Sequence, residues 1–153
     1  MKLAIGADHR GVRYKKLIEE HLKSVGHTYV DFGTNIEESV DFPDLAVPVA
    51  RSVARGEAER GILICSSGIG MSIAANRFKG VRATLCMNEQ MAEVARSHNN
   101  SNLLCLGQDL IDEQTCLRIV DKWLATEFDG GRHSRRLGKI EQFAGCEHES
   151  RKA

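Results

Sequence analysis

The sequence predicts an α/β protein: a three-layer, Rossmann-like sandwich with a five-stranded parallel sheet and a C-terminal helix. Three observations predict it. Five short apolar runs recur along the 153 residues, each followed by a helical pattern. Four of the runs are near-continuous hydrophobics, as strands covered on both faces require. The segments between them repeat apolar residues at the 3.6-residue period of a helix. Such alternation means a parallel sheet with helices on both sides and right-handed crossovers. The length suits one domain with a real core, expected over residues 1–144, followed by a polar tail at 145–153.

The first run is Leu3-Ala4-Ile5. In the helix after it, Tyr14, Leu17, Ile18, Leu22 and Val25 share a face, and Gly26 is a C′ stop. The second run is Tyr29-Val30-Asp31-Phe32. Its helix starts near Pro43, carries Ala46, Val49, Ala50 and Val53 on one face, and stops before Gly56. The third run, Ile62-Leu63-Ile64, ends at Cys65, and a small-residue helical stretch begins near Ser72. The fourth is Ala83-Thr84-Leu85, followed by a helix that ends at His98-Asn99-Asn100. The fifth is Leu103-Leu104-Cys105-Leu106. Asp112 is a good N-cap for the helix that buries Ile119, Val120, Trp123 and Leu124. After Gly130-Gly131, Arg132 and Arg136 lie four apart on one helix face.

Composition excludes several classes. Charges balance to zero, so nothing requires a nucleic-acid or membrane-surface partner. No run approaches the ~20 apolar residues that span a bilayer. The N-terminal MKLAIGADHR turns polar too soon for a signal peptide, and the cytosol is the expected compartment. Five cysteines, odd in number and without a C-x-x-C pair, argue against a disulfide framework or a zinc site. Cys86, Cys105 and Cys116 read as small buried hydrophobes.

The chemistry concentrates at residues 61–76, GILICSSGIGMSIAAN, which read as strand, tight loop and helix start. A loop made of Ser66, Ser67, Gly68, Ile69 and Gly70 presents backbone N–H groups and the positive end of a helix to an anion. A thiol at the strand end beside those donors is placed where a thiolate is favoured. One loop thus offers a base or nucleophile together with an oxyanion hole. Ligands in such sheets bind beyond the carboxyl ends of the strands. Asp8 and His9 follow the first strand, and His98-Asn99 end the helix after the fourth. These segments are expected to converge on one crevice, with Arg132 and Arg136 as a fork for a phosphate. Taken alone, Cys65 reads more readily as an inert core thiol, His98 as a dipole complement and the arginines as a solvated face, and Asp8 reads equally well as an N-cap.

These residues bring a family into view. The chain resembles the type B ribose-5-phosphate isomerases, a family that includes galactose-6-phosphate and allose-6-phosphate isomerases. The carriers are GADHRG at 6–11, DFP at 41–43, GILICSSGIGMSIAANRFKGVRA at 61–83, HNNSN at 98–102 and GGRH at 130–133. The resemblance implies aldose–ketose isomerisation of a phosphosugar through a cis-enediolate, without metal or organic cofactor. It implies Cys65 as the base that takes the C2 proton and the amides of 66–70 as holders of the enediolate oxygen. By the same likeness Ser67 relays a proton between O1 and O2, His98 assists ring opening, and Asp8 orients a sugar hydroxyl. His9, Arg132 and Arg136 then bind phosphate and Asn99 a hydroxyl. It further implies a homodimer or tetramer whose sites draw His98 and Asn99 from the neighbouring subunit.

Three positions depart from the family pattern. Asp109 stands where members often carry a phosphate-binding arginine, Phe42 replaces a common tyrosine, and Ser66 replaces a common glycine. The reaction class is unaffected, while the sugar stays open: ribose 5-phosphate first, then allose 6-phosphate, galactose 6-phosphate or a four-carbon sugar phosphate. A cysteine phosphatase would need C-x5-R, and the sixth residue after Cys65 is Met71. A nucleotide-binding module would need a P-loop or a G-x-G-x-x-G, and neither is present. A non-catalytic sugar-phosphate binder is the remaining rival.

Overall fold

The computed structural model describes residues 1–146. Its elements in chain order are β1 (Lys2–Ala7), α1 (Val12–Ser24), β2 (Thr28–Asp31), α2 (Phe42–Ala54), β3 (Arg60–Cys65), α3 (Ile69–Ala75), β4 (Ala83–Leu85), α4 (Glu89–Ser97), β5 (Leu103–Gly107), α5 (Glu113–Ala125) and α6 (Arg132–Cys146). The strands form one parallel sheet in the order β2-β1-β3-β5-β4. This is the predicted α/β sandwich. From β1 the chain moves outward to β2, then jumps back to place β3 on the other side of β1. The loops after β1 and β3 therefore part in opposite directions and leave a crevice at the carboxyl edge.

Alternation along the strands builds two cores. Leu3, Ile5, Ile62, Ile64, Leu104 and Leu106 face α1, α4 and α5, and Trp123 fills that side. Ala4, Leu63, Cys65, Leu103 and Cys105 face α2 and α3. Both faces of the central strands are covered, which is why they read as continuous apolar runs. Strand β2 lies at the edge and is largely exposed, matching its more polar sequence.

Local signals act as the sequence implies. Gly26 and Gly56 take positive φ just past α1 and α2. Asp112 caps α5 through the Thr115 amide, and Asn88 caps α4 in the same way through Met91. The face of α1 differs in detail. Tyr14, Ile18 and Leu22 are buried, but Leu17 is half-buried and Val25 is 49% exposed. Lys15 is fully buried instead, its ammonium paired with Asp31 and hydrogen-bonded to Asn35. A helix beside an edge strand has little sheet to cover, so a long polar side chain closes the gap. Helix α6 continues through Cys146, past residue 144; residues 147–153 of the expected tail lie outside the described residues.

Candidate active site

At the carboxyl edge the chain turns sharply after β1. Asp8 accepts the Arg10 amide on Oδ1 at 2.9 Å, and its carbonyl accepts the Gly11 amide at 3.0 Å. Gly11 is required there, because a Cβ would come within 2.6 Å of the Ile64 carbonyl oxygen. The Asp8 amide reaches across to the same carbonyl at 3.3 Å, tying this turn to β3. Asp8 is 7% exposed, and burial holds its carboxyl above the ordinary 3.8 despite the Arg10 amide and the nearby charges of His9 and Arg10. His9 accepts the Val40 amide on Nδ1 at 3.2 Å, which leaves the proton of a neutral ring on Nε2.

Cys65 ends β3, 6% exposed, and its Sγ accepts the Gly68 amide at 3.0 Å. A thiolate accepts such a bond better than a thiol does. Gly68 permits this turn by adopting φ +76, and a Cβ there would collide with Leu85 and the Leu106 backbone. The end of β5 holds the loop from below: Gln108 N–H donates to the Cys65 carbonyl and Asp109 N–H to the Ser66 carbonyl. Of the first four amides of α3, Gly68 serves the sulfur and Ile69 donates to Ser67 Oγ at 3.3 Å. The amides of Gly70 and Met71 have no partner inside the helix, because they belong to its first turn. Phe42 lies over Gly70, where a Cβ would meet its ring at 2.9 Å.

The other three buried thiols lie within the hydrophobic core clusters. Burial pushes Cys86 and Cys116 up to about 12, and it pushes Cys105 well above its ordinary value. They are core atoms. Asp109 also has a defined setting: its carboxylate accepts Arg10 Nη2 at 2.8 Å, so the acid at this position is answered by a cation from the same crevice wall.

His98, Asn99, Arg132 and Arg136 do not join this group within the chain. A helix that follows a parallel strand returns the chain to the amino edge of the sheet. Accordingly, the Asn102 carbonyl accepts the amide of Gly61, at the start of β3, and the Ser97 carbonyl accepts that of Asp129, just before α6. Cys65 is at the far end of β3, roughly 13 Å from Gly61 along the strand at about 3.3 Å per residue. Within one chain, the residues expected to share a crevice therefore form two clusters on opposite edges, because the end of the helix after β4 belongs to the amino edge.

The amino-edge cluster has its own architecture. His98 closes α4 as its C-cap, and its ring stacks on that of His133 with centroids 4.3 Å apart and planes 9° from parallel. Asp129 completes a trio with these two rings, ligand atoms all within 4.8 Å of one another. His133 is pushed below the ordinary 6.5 by desolvation, then by His98, Arg132 and Arg136, against the pull of Asp129. Arg132 and Arg136 are exposed on the first turns of α6. Beneath the cluster lies Arg96, buried, donating to Asn100 Oδ1 and to the carbonyls of Ser101 and Thr126. It holds the loop in which Asn100 takes φ +45. Burial lowers Arg96 to about 10. Sequence reasoning passed over Arg96, Asp129 and the His98–His133 stack. The nearness of Arg96 to His98 in the chain was visible, but the partners come from the α5–α6 connection.

Comparison with known proteins follows this geometry. Residues 3–140 match the model of the Ribose/Galactose Isomerase family. The chain is 42% identical over 139 residues to Ribose-5-phosphate isomerase B of Escherichia coli, covering 91% of this chain and 93% of that one. A Clostridium thermocellum Ribose-5-Phosphate Isomerase B superposes with a TM-score of 0.92 at 46% identity, covering all of both chains. A Mycoplasma genitalium ribose-5-phosphate isomerase B with bound ribulose-5-phosphate gives 0.90 at 42% identity, covering 93% of this chain and 95% of that one.

Proposed function

The chain belongs to the ribose/galactose isomerase family and is an aldose–ketose sugar-phosphate isomerase, and we propose that it interconverts ribose 5-phosphate and ribulose 5-phosphate. The observation that carries the reading is Cys65 held by the Gly68 amide beside the buried Asp8. In the proposed sequence His98 takes the proton of the anomeric hydroxyl. The C1=O bond forms, C1–O4 breaks, and the ring oxygen takes the proton back from the imidazolium. The Cys65 thiolate then removes the C2 proton, and the electron pair moves into the enediolate. Amides of the Ser66–Gly70 loop hold the oxygen on which charge grows, a contribution of about 3–4 kcal/mol per preorganised donor. Ser67 passes the O2 proton to O1, and Cys65 returns its proton to C1. Asp8 orients a sugar hydroxyl, Asn99 another, and His9 with the Arg132 and Arg136 fork holds the phosphate. No step calls on a metal or organic cofactor.

The functional unit in this reading is at least a dimer. A sugar phosphate is too short to touch Cys65 and His98 across one sheet. Two copies arranged so that the carboxyl edge of one meets the amino edge of the other complete a site, and a two-fold axis makes two such sites at once. Exposed apolar residues along α4 and α6, Met91, Val94, Ile140 and Phe143, suit burial against a second copy. The protein is read as cytosolic, and among the described residues no helix is long and apolar enough to cross a membrane.

The test is turnover on four-, five- and six-carbon sugar phosphates, with Cys65→Ala as control. Cys65-dependent activity greatest on ribose 5-phosphate is expected. One observation favours a second reading: the Arg10–Asp109 pair occupies the crevice wall beside His9. Greatest activity on allose 6-phosphate, galactose 6-phosphate or a four-carbon sugar phosphate would transfer the assignment and make that pair the specificity element.

A further inference from the structure

We propose that His133 is a positioning residue for His98: its ring, stacked flat on the His98 imidazole, fixes the plane in which that imidazole meets the sugar. The inference rests on the reading that His98 opens the sugar ring. An imidazole at a helix C-cap has a broad, soft terminal torsion and no backbone to hold its plane. Useful proton transfer needs its nitrogen within about 0.5 Å and 10–20° of the productive geometry. A near-parallel ring with its centroid 4.3 Å away supplies that restraint against one face of His98.

His133 is built to be the fixed partner. It is 7% exposed, while Arg132, Ser134 and Arg135 on the same turn of α6 are exposed. Gly130 and Gly131 adopt φ +69 and +54, and the His133 amide donates to the Gly130 carbonyl, so the backbone turn aims this one side chain inward. The Asp129 amide bonds the Ser97 carbonyl at 3.0 Å, which locks the start of α6 to the end of α4.

The trio with Asp129 is not arranged as a metal centre. Ring lone pairs lie in the ring planes, and planes 9° from parallel do not converge on one ion between them. The same arrangement suits a proton-carrying His98. The electron-rich face of a neutral His133 favours an adjacent imidazolium, whereas two charged rings would repel. Arg132 and Arg136, on the same helix, disfavour a proton on His133, and the Asp129 carboxylate only partly offsets them there. The helix turn that carries the phosphate fork thereby also sets the ring-opening imidazole, so the two ends of the sugar are registered by one element.

The experiment compares two reactions of the same enzyme. Turnover of ribose 5-phosphate needs ring opening. Exchange of the C1 hydrogen of ribulose 5-phosphate in D2O does not, because that ketose is already open. His133→Ala is expected to lower kcat on ribose 5-phosphate about tenfold or more, with KM and the exchange rate changed less than about twofold. His133→Phe, which keeps a flat face, is expected to recover most of the loss. Unchanged kcat in His133→Ala, or an equal fall in both reactions in both variants, overturns the proposal. His98→Ala is run alongside. If it fails to separate the two reactions, the ring-opening reading falls and takes this inference with it; if it separates them and His133→Ala does not, the stack alone is refuted.

Discussion

At the carboxyl edge of the sheet, Asp8 and Cys65 are almost wholly buried, and each side chain accepts a backbone amide of its own turn. At the amino edge, Arg132 and Arg136 stand in solvent, and α6 exposes Ile140 at 60% and Phe143 at 73%. The first edge is finished by the packing of its own chain, since Gly11, Gly68 and Gly107 let neighbouring backbone approach with no room for a Cβ. The second is braced from beneath by Arg96 and from one side by His133, and is open on the side that faces away from the molecule. On the proposed reading, the difference teaches that one chain carries two half-sites of different kinds. One is then a preorganised charge-stabilising loop, and the other a set of cations and imidazoles for a substrate that the first half holds.

The sharpest way to break this comparison is complementation. Cys65→Ala and His98→Ala are each expected to lower kcat by three orders of magnitude or more, within the range seen when reacting groups are removed. Mixed in equal parts and allowed to exchange subunits, they are expected to recover up to about a quarter of wild-type activity, because half the dimers then hold one intact site of two. No recovery, with exchange proven by mass spectrometry of tagged subunits, would place both half-sites in one chain.

The arginines test the open edge alone. Arg132→Ala and Arg136→Ala are each expected to raise KM about tenfold or more, since a charge-assisted hydrogen bond contributes about 1.5–3 kcal/mol. The same variants should leave C65-dependent handling of a non-phosphorylated sugar unchanged. Equal losses with both substrates would mean the residues act on the fold rather than the phosphate.

Arg96 asks how firmly the amino edge is braced. Arg96→Met leaves the Ser101 and Thr126 carbonyls and Asn100 without their donor. A cost of about 2–3 kcal/mol is expected, near 5–10 °C in Tm for a chain of this length. A melt within 1 °C of wild type, roughly 0.3 kcal/mol on the same scale, would show that the loop holds itself.

The smallest effect concerns stability against pH, and its sign differs between the edges. Asp8 has a raised folded pKa, so its ionised form weakens the fold at neutral pH, and the penalty relaxes as pH falls toward 3.8. Asp8→Asn is therefore expected to melt slightly higher at pH 7 while losing activity, with the gain shrinking in acid. His133 has a lowered folded pKa, so its contribution is whole above 6.5 and is lost as pH falls through the folded value. Thermal melts of Asp8→Asn and His133→Phe against pH read both signs, and a lower melt for Asp8→Asn at pH 7 would contradict the first.

Much of this was legible in the residues. The strands announced themselves because β1, β3 and β5 are covered on both faces and had to be apolar throughout. The Cys65 loop was legible because a strand end, glycine at the turn and small residues in the helix behind it are local requirements. The Arg10–Asp109 pair was not, because its members are 99 positions apart and belong to different strand ends. Nor was the buried Lys15, which only the narrow edge strand β2 and the Asp31 carboxylate make tolerable.

By itself the sequence determined the alternation of strands and helices, the place of Cys65 at a strand end before a glycine turn, and the family. These follow from periodicity, from turn chemistry and from motifs whose spacing is written along the chain. Only the tertiary structure decided that Cys65 and His98 lie on opposite edges of one sheet, that the His133 ring stacks on that of His98, and that Asp109 is matched by Arg10. Those facts depend on strand order and on the direction in which each crossover helix returns, and a linear pattern carries neither.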